Sequence, residues 1–436
     1  MRQFFARIAS SFSDIKSQIA FYPTILTFAG LVLALFMKVV ETTGISQSMV
    51  ELMPQVAIKS GDTARTIMSV CIGGLISMMV FSFSMVMMIL NQASNNYSPR
   101  LLPGLISDKV HQIILGLYMG TIMYSIFTLF SIEPSDQEYS LPGLSILIGI
   151  GLTIFCLALF IYFIHNVSQS IQINNILDRI FDTAYDRLMD LIEQEREANI
   201  PENFPNTKNW YHYSVKAPGY FQNILVNNTM ELAAKKGTLL YISRPKGFFV
   251  PEKMPFIWSR EELDEHTVND FLSNINFARG EIIETNYILA FKQITEVAVK
   301  AMSPGINDPG TAINAIDYLT ELFALRLKKM DRNLYGQSGT TYLKVASISF
   351  SELMYFTMAS LRTYCCGDPL VVQRLIVMLK YLNRQEMVDS RYREVVKNEL
   401  KALVDQANVT LQSETDLKKI NAIAFPELNI DPDFPT

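Results

Sequence analysis

Four long runs without a charged side chain stand in the first 165 residues. Their placement predicts membrane spans at about Ile19–Met37, Ile67–Leu90, Val110–Phe130 and Gly143–Ile164. Each is long enough for a hydrocarbon layer of roughly 30 Å. The fourth run organises the chain. Pro142 and Pro201 bracket a stretch without proline, the residue that kinks or breaks a helix interior. After the apolar part, His165–Asn199 spaces Ile173, Leu177, Ile180, Phe181, Ala184, Leu188 and Leu191 three and four apart. Asp178, Arg179, Asp182, Asp186, Arg187 and Asp190 fill the remaining surface. That is one apolar face of a helix. The pattern predicts that the fourth span runs on unbroken as an amphipathic stalk over 165–199, roughly 80 Å in all at about 1.5 Å per residue.

Beyond the stalk the hydrophobic period changes. Tyr220–Val226, Gly237–Ser243 and Gly247–Val250 read as short strands, with a helix at Thr229–Lys236 and turn residues at Arg244-Pro245-Lys246-Gly247. Ser259-Arg-Glu-Glu262 reads as a capping box opening a helix to about Ile275. Further helices are predicted at Thr285–Met302, Pro309–Met330, Ser351–Cys365, Pro369–Leu382, Ser390–Ala407 and Glu414–Ala424, with a strand at Thr341–Ser349. The expected fold class is therefore an α-helical membrane domain of four transmembrane helices, the fourth extended as a cytoplasmic stalk, plus a mostly helical α+β cytoplasmic domain. Its expected divisions are a transmembrane domain 1–164, a stalk 165–199, an α+β module 211–258, a helical domain 259–424 and a tail 425–436.

Charge adds orientation. Arg2, Arg7 and Lys16 precede the first span, and Arg100 and Lys109 lie between the second and third. The loop Ser131–Leu141 carries Glu133, Asp136 and Glu138 and no base. Lysine and arginine stay on the cytoplasmic side, so both termini are expected in the cytoplasm of a bacterial plasma (inner) membrane. The segment with Ile45, Met49, Leu52, Met53 and Val56 is expected to lie on the membrane surface. A net charge of −5 gives no basic field for nucleic acid. The four cysteines show neither a disulfide framework nor zinc spacing.

On the second span Ser69, Gly73, Ser77, Ser84 and Asn91 share one face, within about 80° at ~100° per residue. Two readings fit this stripe. Small residues let membrane helices approach closely, and small polar residues also line water-filled paths. Gly116/Gly120 in the third span and Ser145/Gly149 in the fourth have small-xxx-small spacing and read as packing sites. No acid or base stands near the centre of any span, which disfavours a proton-coupled pump.

The loop after the second span holds Gln92, Ser98, Pro99 and Arg100. Ser98-Pro99 suits a helix start. Arg100 suits either the headgroup level or coupling to the cytoplasmic domain. In the second half, Asp308-Pro309 and Asp368-Pro369 have the form of an N-cap followed by proline at the first helical position. Asn307, Asp308, Asn314 and Asp317 offer oxygen ligands, but without the spacing of a calcium loop, so capping and ion or ligand contact both stand as readings. His165 and Asn166 close the fourth span, where a cation or a proton switch fits. No nucleotide loop, nucleophile elbow or zinc-protease motif occurs among the four histidines and the glycine-rich stretches. No enzyme activity, cofactor or catalytic residue is expected.

NQASNNYSPRLL after the second span, paired with AMSPGINDPGTAINAID in the second half, resembles a bacterial family of predicted multi-pass membrane proteins known only as a domain of unknown function. The resemblance runs from about Phe4 to the penultimate helix, and SPGINDPGTA is its most specific element. It implies four spans and a cytosolic domain, and no activity. Arg279 matches an arginine that family members carry, whereas Thr285-Asn286-Tyr287 departs from their Gln-Asp-Pro-like element. The expected function is a homo-oligomeric, channel-like protein with a cytoplasmic gating or assembly domain. The alternative is a non-conducting scaffold or sensor whose cytoplasmic domain binds a protein or small ligand.

Overall fold

The computed structural model describes residues 20–42, 60–96, 109–132, 142–170, 172–197, 204–278, 286–331, 334–337 and 339–425. The leader, the surface segment 45–56, most of the loop between the second and third spans, the acidic loop, Arg279, Thr285 and the tail beyond Phe425 lie outside them. The chain divides into two compact units, Met1–Asn175 and Ile176–Thr436.

Among the described residues, the first unit has four helices: α1 (Phe21–Thr42), α2 (Gly61–Asn96), α3 (Lys109–Phe130) and α4 (Gly143–Ser170). All four are long and apolar enough to cross a membrane. Glycine sets the closest crossing. A Cβ on Gly30 of α1 would stand 2.6 Å from the carbonyl carbon of Gly120 on α3, and one on Gly116 would meet Leu26 at 2.8 Å. The Gly116/Gly120 pair thus brings two backbones together, as small residues do where no hydrophobic effect drives helices toward each other. Ser145 and Gly149 also face inward, Gly149 against Met68 and Tyr124. Glu41, near the end of α1, accepts from the Ser145 amide at 2.8 Å and from its hydroxyl at 2.9 Å. A carboxylate there satisfies an orphan donor in the first turn of α4 and meets the positive end of its dipole.

The stalk is not continuous with the fourth span. α4 ends at Ser170, and α5 (Ile173–Glu197) begins after it. The junction reads HNVSQSIQINN, and the Asn175 side chain donates to the Gln169 carbonyl at 2.7 Å. Short polar side chains offer the backbone such alternatives to helix, a signal that the absence of proline hid.

The second unit continues with β1 (Tyr211–Ser214), β2 (Gly219–Ile224), α6 (Val226–Lys236), β3 (Leu240–Ile242), β4 (Phe249–Val250), β5 (Pro255–Ser259), α7 (Glu265–Ser273) and β6 (Ile275–Ala278). Then come α8 (Ile288–Ala301), α9 (Pro309–Arg326), β7 (Leu334–Gln337), β8 (Thr340–Val345), α10 (Phe350–Cys365), α11 (Pro369–Arg384), α12 (Arg391–Thr410) and α13 (Glu414–Ala424). Five strands form one sheet in the order β1-β5-β3-β8-β7, and three form a second in the order β4-β2-β6. Phe221, Phe256, Phe271, Leu240, Leu343 and Val345 build the core at these sheets. Because β6, β7 and β8 come from later sequence, the expected module boundary at residue 258 does not divide the fold. Ser259 corrects a second expectation. It ends β5, paired with Tyr211 and Leu240, and its hydroxyl lies 2.8 Å from that of Thr238. The helix starts later, with Asp264 as its N-cap accepting from the Thr267 amide at 2.7 Å. The late helices pack around Phe291, Phe323 and Phe350, whose rings meet in sequence.

Candidate functional site

Along α2, Ala64, Met68, Leu75, Ser82 and Ile89 are buried in the bundle. Ser69, Gly73, Ser77, Ser84 and Asn91 are all exposed, centred about 180° away at ~100° per residue. Space is open where a Cβ on Gly73 would stand. The hydroxyls of Ser77 and Ser84 donate to the carbonyls of Gly73 and Val80, each at 2.9 Å. Among the described residues, no other helix of the chain covers this stripe; it looks outward. Gln92 lies on the helical backbone, since α2 runs on to Asn96 through what reads in the sequence as loop. Ser98, Pro99 and Arg100 lie outside the described residues. His165 is exposed, whereas His111 is buried with its Nε2 3.3 Å from the Asn166 amide nitrogen.

The SPGINDPG segment is a built turn. Asp308 caps α9: one carboxylate oxygen accepts from the Thr311 amide at 3.1 Å and the other from the Thr311 hydroxyl at 2.6 Å. Those bonds, the side-chain one first, hold the Asp308 carboxyl below the usual range. Asn307 adopts φ +48°, a conformation asparagine tolerates better than most residues. The Asp308 amide donates back to Ala301 at 2.8 Å, tying the end of α8 to the start of α9. Asp317 is engaged elsewhere, since Arg374 of α11 donates to both its oxygens. Asp308 and Asp317, two of the four residues Asn307, Asp308, Asn314 and Asp317, are thus committed to separate partners. Among the described residues, no three His, Cys, Asp or Glu side chains converge as metal ligands.

A cluster that the sequence reading missed lies just past α9. Arg326 is 1% exposed, pairs with Asp331, and donates to the Lys329 carbonyl at 2.8 Å. Asp331 also accepts from the Phe350 amide at 2.9 Å, and the Tyr392 hydroxyl donates to the Lys329 carbonyl at 3.2 Å. Lys329, 3% exposed, pairs with Glu195 of α5, whose other oxygen accepts from the Met330 amide at 3.1 Å. The cluster fastens α5, the α9 terminus, α10 and α12 to one another. Its signal was the arginine within LFALRLKKM, a charge among otherwise core-facing residues.

Four apolar helices of membrane length, followed by a mixed unit with two small sheets and a helical layer, define a multi-pass membrane protein. The family model described as "Predicted membrane protein (DUF2254)" matches residues 16–381, and the chain belongs to that family. Uncharacterized proteins of Mycobacterium bovis and Mycobacterium tuberculosis are 24% identical to it over 364 residues, covering 81% of this chain and 70% of theirs. No solved structure matches.

Proposed function

We propose that the protein is a homo-oligomeric, channel-like component of the bacterial plasma membrane, with both termini cytoplasmic. In this reading the outward stripe of α2 faces a shared axis, and the second unit assembles or gates the oligomer. The observation that carries it is the position of the stripe opposite the buried face of α2. A helix face turned to lipid gains nothing from a row of glycine and serine, whereas one turned to a neighbouring helix or to water does. The lysine and arginine bias of the loops supports the orientation.

Cysteine accessibility tests this reading. After replacement of Cys71 and Cys156 by alanine, the thiols of Ser77→Cys and Ser84→Cys are expected to react with a polar reagent from the aqueous phase. Those of Met78→Cys and Val86→Cys, half-buried against the bundle core, are expected to stay unreactive. Liposomes containing only the purified protein should pass ions, with flux altered by Ser77→Asp. Unreactive thiols at both stripe positions, with no flux, would leave the non-conducting scaffold or sensor in its place.

A further inference from the structure

Within the second unit, a cleft of about 590 Å³ opens between α5, the start of α6, the turn before β4, and β7. Arg187 and Lys246 both line it, and both also line a small adjoining cavity. Neither cation is matched: among the described residues, no carboxylate lies within ion-pair distance of either. Glu195, two turns along α5 from Arg187, is held by Lys329 and the Met330 amide. Lys246 has a neutral partner, the Asn223 side-chain oxygen at 2.7 Å. The Arg187 Nε is buried with no hydrogen-bond partner. Burial, and then the Arg187 charge, push the Lys246 ammonium down to about 8.

Two half-buried cations without a counter-charge repel one another and are poorly compensated, and proteins ordinarily pair such groups. The remaining walls suit an anion as well. Ile224, Leu225, Val226, Asn227 and Asn228 of the lining belong to the entry and first turn of α6, an eleven-residue helix whose N-cap, Leu225, supplies no side-chain acceptor. The first amides of a helix have no partner within it, and its dipole favours negative charge there. Leu191 and Met230 add apolar surface, and the volume falls in the range of small-molecule sites.

We propose that this cleft binds a phosphate-bearing small molecule, with Arg187 and Lys246 on the phosphate oxygens and the first turn of α6 completing the cradle. Arginine meets two phosphate oxygens at once, lysine acts as a point charge, and the Asn227, Asn228 and Gln194 amides surround the rest. The site stands independently of whether the protein conducts.

The test uses the full chain in detergent at low ionic strength, with inorganic pyrophosphate as probe, followed by calorimetry and thermal melting. Pyrophosphate is expected to bind and to raise Tm, while chloride at matched ionic strength does not. Arg187→Gln and Lys246→Met are each expected to weaken binding at least tenfold. Without pyrophosphate, Lys246→Met should melt no lower than the parent, since it removes a repelled cation; a purely structural lysine would give a lower Tm. Should Lys246→Met fail to fold, Arg187→Gln decides alone. No binding by the parent chain, or equal binding by parent and variants, overturns the site. Displacement of pyrophosphate by short-chain phosphatidylglycerol would assign the phosphate to a lipid headgroup; persistence of pyrophosphate would assign it to a free phosphate compound.

Discussion

Replacing Gly30 by alanine sets a methyl group against the Gly120 carbonyl, 2.6 Å from its carbon and 2.7 Å from Cα. Both atoms are backbone, so no change of rotamer relieves the overlap. Carbon atoms rest at about 3.5–4.0 Å, so α1 and α3 must part by about 1 Å. That movement also lifts Leu26 from Gly116 and Gly120, which it now meets so closely that a Cβ on either would overlap it, at 2.8 and 2.6 Å. A radial gap of about 0.5–1 Å already forfeits a quarter to a half of each pair's attraction, and overpacking of a tight core typically costs about 1–3 kcal/mol. Destabilisation of that size is expected for Gly30→Ala. Gly73→Ala, which adds its methyl to open space, should be neutral or slightly stabilising because alanine favours helix. The assay is the labelling rate of Cys156, fully buried in the bundle beside Thr121, as the dodecyl sulfate fraction of the micelles is raised. Gly30→Ala should expose the thiol at a lower fraction than the parent. Labelling curves that coincide for Gly30→Ala, Gly73→Ala and the parent would refute the argument that backbone contact holds α1 to α3.

Asp308→Ala should lower the stability of the second unit by about 1 kcal/mol at neutral pH through loss of the cap, read in the full chain by the fluorescence of Trp210 and Trp258. The folded carboxyl titrates below its unfolded counterpart, so the contribution is whole above the unfolded value of about 3.9. It is lost as pH falls through the folded value, and the gap between parent and variant should close in acid. Asp331→Ala should cost more, about 3–5 kcal/mol, because it strands the buried Arg326 charge. An Asp331→Ala denaturation midpoint equal to the parent's would remove the cluster from any role in stability.

What the sequence disclosed and what it hid have separate physical causes. The spans were legible because crossing a bilayer demands about 20 mostly apolar residues in a row, and Asp308 and Asp368 because an aspartate followed by proline and then a helical apolar pattern suits an N-cap and first helical position. The strands were harder, since β3 and β4 have three and two residues, too short to show a period of two. Ser259 failed for a related reason: Ser-x-x-Glu fits a capping box only where the serine backbone is free, and here a sheet claims it. The outward direction of the α2 stripe was beyond reach, because a helix face is identifiable from spacing while what lies opposite it is not. Arg187 reads as part of the polar face of the stalk and Lys246 as a turn residue; only the fold places them in one cleft.

The parallel pairing of β3 with β8, Leu240 against Leu343, has a consequence for biogenesis. About 100 residues separate the two strands in the chain, so at ~5–20 residues per second the ribosome completes β8 roughly 5–20 s after β3. From the time β5 is made until β8 follows, β3 can border β5 on one side while its other edge stays open, the kind of surface that recruits stray strands. The membrane helices are synthesised and can insert well before this edge is closed. Newly made copies that meet at the bilayer before then would be open to β3-edge exchange, a hazard that grows with expression rate.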